Sequence, residues 1–428
     1  MKSGCIVHCN QTSYLQYLPF FIHLQRINDD FMTVMFNNEI PIVQFLKHEL
    51  TLNQLAEALF IGKHSKNDRG ATHAIAIAFK AKDCDKIIYK TIGPEGWHAS
   101  TPAVTQSHVF RIYSVTKTMT SAIIFQLVEE GKLDLKKNVK NLIQELTKHA
   151  FMREKYSALE AALAKLEPHN DATLLDLIQH TSMIGCYTRD KKFEEEVIDS
   201  PGKEWSMPEL LSRVTKIKKD HTPGCHYSDA GYMLLTLIIE MIEQKDYKDI
   251  FKERIFKPYQ LNHTFLHYDD IPAGLSIAKG YLKGAKGVAI DYTRYHTGTG
   301  SGGGYSTLSD MVKWTGTFKD IEEKFMAKYK ITASMLPEGT SPSHIGTGKY
   351  HLGLFSQNVE ELPLITAGGY SRGGKVKQCI DAEGNIVVVF QTWRHNGLAR
   401  DACEWAPTHM KDSLQASVTS SDRRMQNK

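Results

Sequence analysis

Along the chain the spacing of apolar and polar residues changes several times, and each change marks an element. Residues 73–79, His-Ala-Ile-Ala-Ile-Ala-Phe, carry their large apolar side chains at alternate positions, which predicts a strand, and residues 86–91 supply its hairpin partner. From 115 to 130 the period lengthens. Val115, Met119, Ala122, Ile123 and Leu127 recur at helical spacing on an amphipathic helix that Gly131 closes. Residues 129–300 hold further helical stretches, the clearest at 232–242, apolar enough to be buried. Lys216, Lys218 and Lys219 interleave with Val214 and Ile217 as on the solvated face of a helix. Two strands, 376–380 and 386–392, flank the turn Asp381-Ala382-Glu383-Gly384-Asn385, where Gly384 suits a positive φ. Short helices are predicted at 52–60, with Thr51 and Gln54 as capping box, and at 399–414, broken or kinked by Pro407. Strands, a helix, a long helical insert, strands and a final helix predict an α+β fold, an antiparallel sheet assembled from both ends of the chain and flanked by helices. On this division residues 66–415 form the main domain, with a sheet half (66–128 and 303–415) and a mainly helical half (129–302). Residues 1–65 are an N-terminal extension and 416–428 a polar, disordered tail.

Composition changes this picture little. The 428 residues are 42% hydrophobic and 23% charged, an ordinary globular balance. The net charge of +4, without a clustered basic face, argues against a nucleic-acid partner. Seven scattered cysteines, an odd number, imply reduced thiols in a cytosol-like compartment and no disulfide framework. No apolar run is long enough to span a membrane. The run 17–24 is interrupted by Pro19 and His23 and lacks a cleavage site, so the expectation is a cytoplasmic protein, or one exported without a conventional signal peptide.

The chemistry concentrates in Phe110-Arg111-Ile112-Tyr113-Ser114-Val115-Thr116-Lys117, where a loop runs into the predicted helix. Ser114 falls at the helix start and Lys117 three residues on, so their side chains share one face. A serine hydroxyl becomes a nucleophile when a neighbour takes its proton, and a lysine can do this when burial lowers its pKa. The pair alone reads as readily as an N-cap serine beside a solvated lysine. A second stretch, Pro223-Gly224-Cys225-His226-Tyr227-Ser228-Asp229-Ala230-Gly231-Tyr232, turns into the apolar helix and sets Tyr227, a candidate general acid or base, before its start. Asp229 there can equally be a helix cap.

Taken in order, these segments resemble the serine β-lactamase-related superfamily: class C β-lactamases, D-alanyl-D-alanine carboxypeptidases and related esterases. Ser114-Val115-Thr116-Lys117 resembles its S-x-x-K motif. Leu174-Leu175-Asp176-Leu177-Ile178-Gln179-His180-Thr181-Ser182, residues 223–232, Ile255-Phe256-Lys257-Pro258 and Gly302-Gly303-Gly304-Tyr305-Ser306-Thr307-Leu308-Ser309-Asp310-Met311 resemble later landmarks, so the likeness covers roughly residues 66–415. The resemblance implies the β-lactamase and transpeptidase-like fold and an acyl-enzyme on Ser114. Lys117 would be its proton acceptor or electrostatic partner, Tyr227 the relay to the leaving group, and the Ser114 N–H half of an oxyanion hole.

The motifs also depart from the family. Tyr227-Ser228-Asp229 has an aspartate where asparagine is usual, and Asp229 is expected at the substrate. Thr366-Ala367-Gly368 stands where K-T-G or H-x-G is expected. Gly368 keeps the close approach, Gly369 is placed to supply the second oxyanion N–H, and Arg372 or Arg394 is the candidate replacement for the lost carboxylate anchor. The reading is a serine hydrolase of an ester, amide or peptide, not an efficient β-lactamase; the alternative is a catalytically weak relative acting as a binding or scaffold protein. No cofactor is implied, and the expected partner is a small-molecule or peptide substrate. Cys5, His8 and Cys9 lack a second ligand pair for a metal. The glycine run 298–304 lacks the lysine and strand of a phosphate loop and is expected to be a flexible loop beside the cleft.

Overall fold

In the computed structural model, the described residues are 74–392 apart from 83–84, 97, 99, 201, 216, 218–224, 284–288, 296–298, 340–347, 360–361 and 372. The helices expected at 52–60 and 399–414, the polar tail and Cys5, His8 and Cys9 lie outside them. In chain order the strands are β1 (Ile75–Lys80), β2 (Ile87–Ile92), β3 (Phe110–Arg111), β4 (Tyr281–Lys283), β5 (Ala289–Asp291), β6 (Tyr305–Ser306), β7 (Glu338–Gly339), β8 (Gly348–Tyr350), β9 (Phe355–Val359), β10 (Leu362–Ser371), β11 (Gly374–Asp381) and β12 (Ile386–Gln391). Eight of them form one antiparallel sheet, ordered β2-β1-β12-β11-β10-β9-β8-β7. β3 pairs with β6, and β4 with β5.

The predicted hairpins form. β1 lies antiparallel to β2, and the β11–β12 turn places Gly384 at φ +92°. The N-terminal hairpin then joins the C-terminal one, with Ile75 opposite Gln391. Ala74 N–H donates to Thr392 Oγ1 (2.9 Å) and Thr392 N–H to Ala74 O (3.1 Å). The alternation in β1 is one of size, not of exposure: Ile75 to Phe79 are all buried. Its alanines share a face with Val388 and Phe390 of β12, and this thin face lets a long helix pack close.

The helices are α1 (Thr116–Glu129), α2 (Val139–Lys148), α3 (Ala150–Lys155), α4 (Leu159–Leu163), α5 (Leu174–Ile178), α6 (Lys191–Asp199), α7 (Met207–Leu211), α8 (Asp229–Glu243), α9 (Tyr247–Phe251) and α10 (Leu308–Lys328). α10 packs on β1, β11 and β12, and its Trp314 indole donates to Thr118 of α1 at 2.7 Å. α1 closes at Gly131 (φ +71°) but is not amphipathic: it lies among α8, α9 and α10, and only Gln126 and Glu129 escape burial. Its small hydroxyls reconcile burial with polarity. Thr116 and Thr118 donate to the carbonyls of Tyr113 and Val115, Thr120 to that of Gly300, and Ser121 pairs with the Tyr232 hydroxyl. The helix face expected around Lys216 does not form through Val214 and Ile217. α7 ends at Leu211 and both residues are non-helical, while Lys216, Lys218 and Lys219 lie outside the described residues.

Candidate active site

Ser114 sits in the single 3₁₀ turn, Tyr113–Val115, between β3 and α1. Tyr113 has φ +46°, an uncommon conformation for a bulky residue, and it bends the chain sharply from strand into helix. The bend is over-determined. Thr116 Oγ1 donates to Tyr113 O (2.6 Å) and accepts from Gly304 N–H (3.0 Å), and burial pushes the Tyr113 phenol up to about 12. Ser114 itself remains half-exposed.

Lys117 is only 1% exposed. Its Nζ donates to Ser114 Oγ (3.2 Å), Asp229 Oδ1 (2.5 Å) and the Ser301 carbonyl (2.5 Å). An ammonium has three N–H donors, and all three are engaged. Asp229 opens α8 but does not cap it; Ser228 does, accepting from Gly231 N–H at 3.1 Å. That leaves Asp229 available to the site. Its two oxygens take Lys117 and the Cys186 thiol (3.5 Å), so its carboxylate is engaged with the lysine beside Ser114. Burial, reinforced by the Asp229 charge, raises Cys186 to about 11 and keeps it a thiol. The glycine-rich segment was expected to be flexible, yet residues 299–304 pack against α1. A side chain at Gly300 would strike Thr120 and Thr236 at 2.5 Å, and this close approach delivers the Ser301 carbonyl to Lys117.

Tyr227 stands beside Ser114, close enough for the serine to act on its phenol, and Lys117 Nζ lies 4.8 Å from its ring centroid. Burial first, then the negative charge of Asp229, holds its phenol well above the usual tyrosine range. His180, in a left-handed conformation (φ +61°), clamps this tyrosine. Its carbonyl accepts from His226 N–H (2.8 Å), its Nδ1 from Ser228 N–H (3.2 Å), and its ring packs 4.3 Å from that of Tyr227. Because Nδ1 accepts, the ring proton belongs on Nε2. Burial and the neighbouring Lys117 charge keep the imidazole neutral, well below the ordinary histidine range.

Beside Ser114 runs β10. Its pairing with β9 ends at Thr366 opposite Phe355, and beyond that point the serine turn lies against it. A side chain at Gly369 would sit 2.5 Å from Ser114 N and 2.9 Å from Ile112 O, so only glycine fits there. Gly368, one residue earlier, stands opposite Lys377 of β11. Thr366 and Ala367 are buried strand residues, and Thr366 Oγ1 donates to Phe355 O at 3.3 Å. Arg372 and Arg394 lie outside the described residues. The structure thus brings together Ser114, Lys117, Tyr227, Asp229 and Gly369, and adds Ser301, His180 and Cys186, which sequence motifs did not assign. Among the described residues one group has metal-ligand spacing, Glu204, His267 and Asp269, and there Arg294 already pairs with Asp269.

The signature of the Beta-lactamase family matches residues 72–406. Beta-lactamase-like protein 4 of Dictyostelium discoideum is 25% identical over 240 residues, covering 54% of this chain and 39% of that protein. The teichoic acid D-alanine hydrolase of Staphylococcus aureus is 26% identical over 252 residues, covering 58% and 52%. The chain thus spans about half the length, or less, of these curated relatives. Among solved structures, D-amino acid amidase from Ochrobactrum anthropi superposes with a TM-score of 0.63 at 18% identity, covering 84% of this chain and 98% of that one. No helix among the described residues is long and apolar enough to cross a membrane.

Proposed function

The chain belongs to the Beta-lactamase family, and from that premise we propose that it is a serine hydrolase that opens an ester, amide or peptide bond through an acyl-enzyme on Ser114. The observation that carries this reading is the saturated Lys117 ammonium, which donates to Ser114 Oγ while Asp229 balances its charge. With no lone pair to offer, Lys117 acts as the electrostatic partner and stabilises the alkoxide developing on Oγ. The proton travels through Tyr227. As Ser114 Oγ attacks the carbonyl carbon, its proton passes to the Tyr227 oxygen and the phenolic proton passes to the leaving oxygen or nitrogen. This exchange needs a phenol, the form that burial and Asp229 favour. The backbone N–H groups of Ser114 and Gly369 receive the oxyanion. Water then reverses the route, giving its proton to Tyr227 while Tyr227 returns one to Ser114, and the acid departs.

Thr366 and Ala367 are buried in the strand, so the positions of the family's usual carboxylate anchor carry no basic side chain of their own. The substrate class this favours is an acyl ester or amide without a carboxylate at that point, in keeping with a relative named teichoic acid D-alanine hydrolase and a fold neighbour named D-amino acid amidase. Fluorophosphonate labelling read by intact mass tests the reading. One adduct on the wild type and none on Ser114→Ala is expected; a folded wild type that takes no label would overturn it in favour of a binding protein.

A further inference from the structure

We propose that Arg111 and Gln391 form a binding site for a small monovalent anion of halide size, behind the Ser114 turn. Arg111, on β3, is 7% exposed. Its guanidinium carbon lies over the rings of Tyr113, Tyr305 and Tyr295, at 4.7, 5.6 and 5.7 Å. These rings partly compensate a cation, but they accept no in-plane hydrogen bond. Nε and Nη1 are buried and have no acceptor among the described residues, nor does any carboxylate there pair with this arginine. A buried cation in this state lacks both the charge balance and the hydrogen bonds that burial requires.

The space beside it has the matching chemistry. A cavity of about 10 Å³ is lined by Arg111, Tyr113, Lys375 and Gln391, with the stacked rings of Phe110 and Phe390 as a wall. That is room for one water-sized particle, too little for a four-oxygen anion such as phosphate. Gln391 is buried, and both polar atoms of its amide lack a partner, so its N–H₂ is a further donor. Among the described residues no aspartate or glutamate lines the cavity. A water would satisfy hydrogen bonds and leave the charge; a halide satisfies both. Tyr113 links this site to the chemistry, because its ring lies over Arg111 and its backbone sets the direction of Ser114. The inference stands on this geometry and does not depend on Ser114 being a nucleophile.

Thermal unfolding of the full-length protein tests it, with sodium gluconate exchanged for sodium chloride or bromide at constant ionic strength. The wild-type Tm is expected to rise along a saturating curve by roughly 2–4 °C. Gln391→Met, which loses one donor, moves half-saturation up roughly tenfold, and Arg111→Met abolishes the rise. Identical wild-type curves in gluconate and halide, or an unchanged halide response in Gln391→Met, would sink the proposal. Should Arg111→Met fail to fold, bromide anomalous scattering decides: a peak between Arg111 and Gln391 supports the site, and no peak there refutes it.

Discussion

Lys117 and Arg111 are both buried cations of one short segment, and the fold treats them in opposite ways. Lys117 has every donor matched, by a hydroxyl, a carbonyl and a carboxylate drawn from three separate parts of the chain. Arg111 is enclosed by aromatic faces and leaves two donors without an acceptor among the described residues. The difference separates two uses of buried charge. A saturated cation is a fixed field, aimed here at Ser114. An unsaturated one is a receptor for something mobile.

The largest expected effect comes from breaking the saturated side. Lys117→Met removes the field and leaves Asp229 facing an apolar group, so kcat/KM should fall roughly a thousandfold. Stability should drop by about 3 kcal/mol, the low end for a broken buried pair, because the Asp229 side chain keeps 17% exposure. Substrate hydrolysis and urea unfolding check the two. Asp229→Asn is milder. The amide oxygen can still accept from Lys117, so a loss of about tenfold is expected, together with a change in pH profile. Tyr227 works as a phenol, and activity ends as pH rises through its pKa. Removing the negative charge that holds this pKa up moves the alkaline limb of kcat/KM to lower pH. An unmoved limb would refute the role given to Asp229.

The smallest effect concerns the neutral group facing the same lysine. His180 stays unprotonated in the fold, whereas the unfolded chain binds a proton below about pH 6.5. Its contribution to stability is therefore complete above that pH and declines as pH falls, by at most about 1.4 kcal/mol per unit. His180→Asn keeps a residue tolerant of the left-handed backbone and should flatten this part of the acid slope, measured by urea midpoints either side of about pH 6.5. Its kcat should drop severalfold with KM unchanged, since Tyr227 loses its clamp. A slope as steep as in the wild type would count against this account.

The sheet from both chain ends and the Ser114–Lys117 pair were legible because each rests on local spacing: period two for the hairpins, three residues along a helix for the pair. The surroundings of that pair were not. α1 reads as amphipathic because Thr116, Thr118, Thr120 and Ser121 look like a wet face, and only the tertiary structure reveals the acceptors that let them be buried. Asp229 and Ser228 are both good caps in sequence, so which one caps α8 and which one meets Lys117 is decided by packing. Ser301 acts through a backbone carbonyl, which no side-chain motif encodes; the glycines around it were the available signal, read as mobility when they mark close packing. His180 was visible in its motif, but its clamp on Tyr227 joins segments 48 residues apart.

The union of β1 with β12 also bears on how the protein is made. The hydrogen bond that closes it, Ala74 to Thr392, joins residues 318 positions apart. On a ribosome adding roughly 5–20 residues per second, the segment Ala-Ile-Ala-Ile-Ala-Phe waits on the order of half a minute for its partner to emerge. Through that interval the nascent chain carries an apolar strand with one open edge, the kind of surface that seeds aggregation and that chaperones cover.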